Sequence, residues 1–470
     1  MMLLTNMIKG LEHDAPAKLL IERWAHDEGT LTFWRASSNF VYHFERDGKR
    51  HWLRFIHETD KTVSRIQAEL DFMLYLLDHG YPTVAPVRST NGVWIETVLT
   101  EDGLYYGVVF EQAKGKHVPI ASMSDAHLAG WGKTLASLHR LSKTYTSGTA
   151  LPRSWEDALA FIASVLQRYP RETVLRHELE RLRGELAELP SGTGHTGLIH
   201  YDFETDNLFY SDEESRYYAI DFDDAMIHWY MMDVTSAISD LLEGEGEEAE
   251  RSIRSFLAGY RSVRELDESD VRLIPVFRRF EALYTFARLL RSVEGMDMSL
   301  SPDWALQLRE KLMGYCDRIR DQFRPKVELK PVDADNWYDC TQLQVTEEQT
   351  DVFPVQTVYW LAESAYCGFT PLALYTGEQM VGLAVYAVDP DDGSYWIMAF
   401  MIDRLFQGRG LGRSGMEALV RYMKEKHNCD KIVLGHRPDN ERAAGLYASF
   451  GFVEVDRSQL EVTRELIIPR

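Results

Sequence analysis

The first hundred or so residues alternate between strand-like and helix-like patterning. Residues 31–45 (LTFWRASSNFVYHFE) set a polar Ser37-Ser38-Asn39 turn between apolar flanks, and Asp47-Gly48, a strong hairpin dipeptide, leads into a further apolar run at 49–58. From about Thr62 to His79 the residues Ile66, Leu70, Met73, Leu74 and Leu77 recur at helical spacing, and Gly80 followed by Tyr81-Pro82 stops the run. After Glu101-Asp102-Gly103 another strand is expected over 104–112, ending at Ala113-Lys114-Gly115, a natural hinge. This beginning reads as strands around one helix. From there to about residue 323 the pattern is mostly helical, with candidate helices at Asp125–Leu141, Ser154–Gln167, Arg171–Glu188 and Glu247–Arg264. Two segments, IHYDFETDN (199–207) and AIDFDD (219–224), interrupt it, the first fed by a loop marked by Gly192, Gly194 and Gly197.

The string FRPKVELKPV (323–332) turns from helical to extended and carries two prolines, which marks a domain boundary. Beyond it, residues 372–403 read as three antiparallel strands in a meander, and a helix follows a glycine loop with Met416, Leu419, Val420 and Met423 on one face. KIVLGH (431–436) is a strand, and residues 440–450 form a helix with Asn440 as N-cap and Gly451 at its close.

Length agrees with two units, since 470 residues exceed one ordinary core. The four cysteines, Cys316, Cys340, Cys367 and Cys429, are too scattered for a metal site or a disulfide framework, so a reducing cytoplasm is the expected setting. The N-terminus lacks the charged-then-apolar order of a signal peptide, and no apolar run approaches membrane-spanning length, so no membrane partner is expected. A net charge of −22 argues against nucleic acid, which needs clustered Lys and Arg, and suits cationic small molecules better.

His200, Asp202 and Asn207 stand in the order H-x-D-x-x-x-x-N, and Asp221 follows 14 residues after Asn207 at the end of an apolar segment. Phosphoryl transfer needs a carboxylate beside the attacking hydroxyl and oxygen ligands for magnesium, and this order is that of a kinase catalytic loop and metal segment. Asp202 is the candidate base, with Asn207 and Asp221 the candidate magnesium ligands. Residues 1 to about 323 resemble the aminoglycoside phosphotransferase and choline kinase-like family, whose fold is that of the protein kinases. The resemblance implies ATP and Mg2+ as cofactors, an N-lobe over 1–112, a C-lobe over 116–323, adenine held by backbone groups of FEQAKG (110–115), and structural roles for Asp233 and for His200 as a loop-ordering residue. It places Arg54, with Glu69 as partner, where relatives carry a phosphate-gripping lysine or, in some branches, an arginine. Arginine grips phosphate bidentately rather than as a point charge. Ser37-Ser38-Asn39 falls at the nucleotide loop, with no glycine-rich sequence.

Gln407, Gly410 and Gly412 read Q-x-x-G-x-G between a strand and an amphipathic helix, a context in which backbone N–H groups at a helix N-terminus receive a pyrophosphate. Asn440, Tyr447 and Gly451-Phe452 lie downstream. Residues from about 326 to 470 resemble the GNAT superfamily of N-acetyltransferases, and the run at 395–412 looks like the spermine/spermidine acetyltransferase branch. That implies acetyl-CoA held by Gln407, Gly408, Arg409, Gly410, Leu411, Gly412 and Asn440, and Tyr447 as the acid that protonates the departing thiolate. A substrate amine with a pKa of about 10.4 must first lose its proton. Glu347, Glu348, Asp391, Asp392 and Asp403 are the candidate bases, and Ala399 stands where that branch leads one to expect a basic residue.

The expected fold is therefore α+β in two domains: a bilobal kinase-like fold over 1–323, then a GNAT fold with a mixed, mostly antiparallel sheet over 326–470. The expected function is a bifunctional transferase, phosphorylating a hydroxyl and acetylating an amine of aminoglycoside- or polyamine-like small molecules. The alternative is an acetyltransferase carrying a nucleotide-binding regulatory module.

Overall fold

The structure is a computed structural model describing residues 1–148 and 150–468; Thr149 and the last two residues of the expected second domain lie outside the described residues. The chain divides into two compact units, one of Met1–Pro170 with Leu179–Ile319 and one of Arg171–Glu178 with Arg320–Arg470.

The first unit opens with helices Leu4–His13 and Ala15–Ile21, so the expectation of strands around one helix omits two. Their signal is short, but they bury Leu4, Met7, Ala17, Leu20 and Ile21. An antiparallel sheet follows, built from β1 (Thr32–Ala36), β2 (Phe40–Arg46), β3 (Lys49–His57), β4 (Pro86–Val87), β5 (Glu96–Thr100) and β6 (Gly103–Glu111), in the order β1-β2-β3-β6-β4 with β5 also on β6. Asp47 and Gly48 take positive φ at the β2–β3 turn, as the hairpin dipeptide requires. Phe40 and Phe55 stack with centroids 4.9 Å apart inside the sheet. Helix Val63–Asp78 buries Ile66, Glu69, Leu70, Phe72, Met73 and Leu76, whereas Leu74 and Leu77 are only partly buried. Its inward face is turned from the expected stripe because Phe72 packs on Phe222 and Tyr145.

The lower lobe is mainly helical. Helices Asp125–Ser142 and Glu247–Arg261 cross so closely that a Cβ on Gly132 would collide with the Phe256 carbonyl and one on Gly259 with the Ala129 carbonyl. Ser154 and Asp157 form a capping box that starts helix Trp155–Arg168. Five short strands sit among the helices: β7 (Arg153–Ser154), β8 (Thr196–Ile199), β9 (Leu208–Ser211), β10 (Arg216–Ala219) and β11 (Met226–Trp229). β9 and β10 form a hairpin, and β11 lies between β7 and β8. The loops after β8 and β10 carry the two kinase-like motifs.

The second unit is built on one sheet of β12 (Glu328–Pro331), β13 (Thr370–Thr376), β14 (Gln379–Val388), β15 (Tyr395–Ile402), β16 (Lys431–His436), β17 (Val453–Arg457) and β18 (Val462–Ile467). The order is β12-β13-β14-β15-β16-β18-β17, and every pairing is antiparallel except β15 with β16. That parallel pairing stops at Ile397–Leu434, so Met398–Ile402 part from β16 and leave a gap at the centre of the sheet. Helix Leu411–His427 covers one face through Met416, Leu419 and Met423, and helices Trp337–Gln342 and Thr357–Cys367 precede the meander. Among the described residues, no helix is long and apolar enough to cross a membrane.

Candidate functional site

In the first unit, the ends of β8 and β10 bring Asp202, Asn207 and Asp221 to one cleft, which is also lined by Ser37, Ser38 and Asn39 of the β1–β2 turn. Asn207 donates from its amide nitrogen to the Asp202 carboxylate and carbonyl, both at 2.9 Å. One Asp202 oxygen and the Asn207 amide oxygen therefore stay available. Burial, reinforced by Asp224, raises the Asp202 carboxyl above the usual aspartate range. Asp221 sits in the left-handed region with φ 61°. Its carboxylate receives Arg54 Nη1 at 3.2 Å and Arg35 Nη2 at 3.4 Å. Burial pushes it up to about 6 against the pull of Arg54.

Arg54 on β3 also reaches Glu69 at 2.6 Å, so the expected pair forms. Glu69 has a second cation, Lys61, at 3.1 Å, and Lys61 clamps Asp223 through both its carboxylate (2.5 Å) and its carbonyl (3.0 Å). Although burial opposes it, the Lys61 and Arg54 charges hold Asp223 well below the usual range. The loop is fixed from behind by Asp233, fully buried, which accepts the backbone N–H groups of His200 (2.8 Å) and Tyr201 (2.5 Å) and His139 Nε2 (2.9 Å). Tyr201 is held there at φ 72°. His200 donates Nε2–H to the Ile220 carbonyl and so ties the 199–207 loop to the 219–224 segment. Beside Asp202, burial and neighbouring acids raise Glu204 to about 8, and burial raises Glu281 to about 7 with Arg278 opposing and Asp202 adding to it.

In the second unit, Gly408 and Gly410 adopt φ of 78° and 80°, and Gly410 is the N-cap of helix Leu411–His427. Arg409 lies over the Phe406 ring. Leu411 is buried and Gly412 follows in the first turn, so their backbone donors begin the helix beside the strand gap. Gln407 spends its amide nitrogen on the Ile402 carbonyl (2.9 Å) and Gln349 (2.7 Å), and Asn440 caps helix Glu441–Ser449 by accepting from Ala443 N at 3.1 Å. Both side chains shape the loops. Tyr447 is buried against His436 and Phe452, and burial raises its phenol to about 12. Of the candidate bases, Asp403 is engaged by the Gln344 and Leu405 N–H groups, and Asp392 by Lys431 and the Ser394 N–H. Asp391, Glu347 and Glu348 are exposed. Ala399 packs in the core with Met380, Leu383 and Val385.

Residues 31–266 match the phosphotransferase enzyme family and residues 333–452 the acetyltransferase (GNAT) family. The chain belongs to the phosphotransferase enzyme family and carries a GNAT-family domain after it. Amicoumacin kinase of Bacillus subtilis (strain 168) is 24% identical over 279 residues, covering 57% of this chain and 82% of that protein. Spermine/spermidine N(1)-acetyltransferase of the same organism is 31% identical over 133 residues, covering 27% of this chain and 87% of its own length. A solved amicoumacin kinase in complex with AMP-PNP, Ca2+ and Ami shares the first unit's fold, with a TM-score of 0.55 at 22% identity over 66% of this chain and 93% of that one. A microcompartment-associated aminopropanol kinase gives 0.51 at 22% identity, covering 66% of this chain and 98% of that one. The protein thus joins a kinase-like phosphotransferase domain to an acetyltransferase domain.

Four residues of the phosphotransferase cleft escaped sequence reasoning: Arg35, Lys61, Glu204 and Glu281. Arg35 and Lys61 lie in no periodic pattern, and only the folded loops set them against Asp221 and Asp223. Glu204 lies within the catalytic loop itself, two residues past Asp202, and that adjacency was the available signal.

Proposed function

We propose that the protein is a bifunctional transferase: ATP- and magnesium-dependent O-phosphorylation by the first unit, and acetyl-CoA-dependent N-acetylation of a small amine by the second. The convergence of Asp202, Asn207 and Asp221 opposite the Arg54–Glu69 pair carries the first half. Magnesium–ATP supplies the transferable phosphoryl group and the cation that neutralises it. The donor set suits it: the Asn207 amide oxygen and the Asp221 carboxylate are hard oxygen ligands, and Arg54 and Arg35 are placed to trade Asp221 for phosphate oxygens. Asp202, held by Asn207, orients the acceptor hydroxyl and takes its proton, and its raised pKa makes it the better base. Glu204 and Glu281 favour an acceptor that carries an ammonium group, since a cation there offsets the crowding of carboxyls around Asp202.

For the second half, acetyl-CoA supplies the acetyl thioester. The left-handed Gly408 and Gly410 and the start of helix Leu411–His427 form a cradle of backbone donors fit for its pyrophosphate. Tyr447, protonated throughout the neutral range, donates to the leaving thiolate. Purified protein incubated with magnesium–ATP or acetyl-CoA and a panel of aminoglycosides, polyamines and amino alcohols tests both halves by mass spectrometry. The expected products carry one added phosphoryl or acetyl group. ATP bound without transfer to any acceptor, and unchanged in Asp202→Ala, would return the first unit to a regulatory module.

A further inference from the structure

Next to the metal segment, the first unit holds a cavity of about 280 Å³ walled by the helices Val63–Asp78, Trp155–Arg168 and Ile274–Ser292. Asp223 and Asp224 line it, but Asp202, Asn207 and Asp221 do not; Ser38 lines both spaces, so the cavity adjoins the cleft described above without containing those three residues. Five cations face it. Lys61 is paired with Glu69 and Asp223, Arg288 with Asp224 at 2.7 Å, and Arg291 with Asp60 at 2.7 Å. Arg65 and Arg153 have no carboxylate within 4 Å among the described residues. The remaining carboxylate on the wall, Asp157, accepts the Ser154 N–H as a helix cap, and its charge and that of Asp224 act on Arg65 from a longer distance.

Arg153 is placed unusually for a guanidinium. It donates Nη1–H to the Tyr284 hydroxyl and lies near the Phe161 and Tyr284 rings, while its Nε is buried without a hydrogen-bond partner. Burial, and then Arg153, lower the pKa of Arg65, as expected of two like charges turned toward one space. The first turn of the 14-residue helix Trp155–Arg168 adds its positive end to the same wall.

We propose that this cavity binds a phosphoryl oxyanion, bridged by the guanidinium forks of Arg65 and Arg153, as a regulatory site beside the transfer cleft. The Arg65 fork and the Arg153 Nη2, neither held by a carboxylate, match a tetrahedral dianion, which accepts several N–H groups at once. The cavity has room for more than a bare phosphate, so the ligand is free phosphate or a small phosphomonoester. Arg65 lies one turn before Glu69 on the same helix, and Arg153 belongs to the lower lobe. A bridging anion therefore fixes the helix that positions Arg54 and raises nucleotide affinity; this second step rests on the kinase reading.

Isothermal titration of the full chain, saturated with magnesium and AMP-PNP, with inorganic phosphate and with glycerol phosphate tests the site. One binding event per chain is expected, weakened about ten-fold in Arg65→Gln and in Arg153→Gln, the size of one charge-assisted fork contact. Tighter binding of glycerol phosphate assigns the site to a phosphorylated metabolite, and equal binding assigns it to free phosphate. No binding of either probe, or binding untouched by both substitutions, overturns the proposal. Retained acetyl transfer and an unchanged circular dichroism spectrum report that the variants fold, and Arg65→Lys, which keeps the charge, should restore part of the affinity. Phosphate should also raise AMP-PNP affinity in the wild type and not in Arg65→Gln; equal affinities with and without phosphate would overturn the bridging role. Should AMP-PNP fail to bind at all, the nucleotide reading falls, while the phosphate titration of the free chain and its variants still decides this one.

Discussion

Asp221→Asn is expected to abolish phosphoryl transfer while stabilising the first unit at neutral pH. Burial raises the Asp221 carboxyl to about 6; Arg54 opposes this, and Asp223 and Glu69 add to it. An ordinary aspartate titrates near 3.9, so the rise is about two pH units, or about 3 kcal/mol in favour of the neutral form. The folded value lies above the unfolded one. The stability contributed by the protonated carboxyl is therefore fully present below about pH 4 and is lost as pH rises through about 6. At neutral pH the ionised side chain burdens the fold by that amount relative to a neutral group. Asparagine keeps the shape and an acceptor for Arg54 and Arg35, and the pull of those cations on the charged form is already contained in the raised value. The gain should approach about 3 kcal/mol, a rise of several degrees in melting temperature for a unit of this size. Scanning calorimetry between about pH 5 and pH 8 measures it on the full chain, with the first unit's transition identified in the wild type by its shift with magnesium and AMP-PNP. The gap between variant and wild type should close as pH falls, because the wild-type carboxyl then takes up its proton. A variant that melts lower than wild type at neutral pH, or a gap that widens on acidification, would refute the reasoning.

Asp202→Ala should lower the rate of phosphoryl transfer by about 10²–10⁴-fold and leave acetyl transfer intact, measured on the same preparation by coupled ADP release and by thiol release. Tyr447→Phe should slow acetyl transfer by about 10²-fold without changing CoA affinity by titration; an unchanged rate would leave the phenol a packing residue of the core around Phe452. Asp233→Asn keeps one acceptor oxygen but turns an NH2 toward either the His200 or the Tyr201 N–H group, which bond different oxygens of Asp233, so it should destabilise the first unit by about 1–3 kcal/mol and slow phosphoryl transfer. Thermal melts and ADP release check this last outcome, and acetyl transfer serves as the internal control.

The parts legible in the sequence are those whose chemistry is local. Asp202 and Asn207 share one short loop, and Asp221 follows a hairpin too small to vary in reach, so their spacing alone brings them together. Gly410 before an amphipathic run likewise announced a helix N-terminus. Patterning gave the three strands of the meander in the second unit and four of the lower-lobe helices within a few residues of their ends, but no bounds for Ile274–Ser292 or Asp303–Gln322. It missed the two helices before β1, whose apolar runs are too short to show a period. It also misplaced Leu74 and Leu77 as core, because the face of a helix is set by what packs on it, here Phe222 from a segment about 150 residues away. Glu281 was illegible for the same reason: its burial against Asp202 exists only once helix Ile274–Ser292 has docked.

Lys61 changes what Arg54 can do at the proposed phosphate grip. A buried glutamate left without its cation is costly, about 3–5 kcal/mol, so a lone Arg54–Glu69 pair would hold the guanidinium in place and make it a poor partner for phosphate. Here Glu69 has two cations, Arg54 at 2.6 Å and Lys61 at 3.1 Å. Lys61 is itself anchored to Asp223, so it stays when Arg54 moves. Arg54 can then turn from Glu69 toward an incoming polyphosphate without stranding that buried charge, while the 219–224 segment remains clamped through Asp223. The two duties that a single strand lysine combines, holding the helix glutamate and gripping phosphate, are divided between two residues. The guanidinium fork is thereby freed for the bidentate contact that an ammonium cannot make.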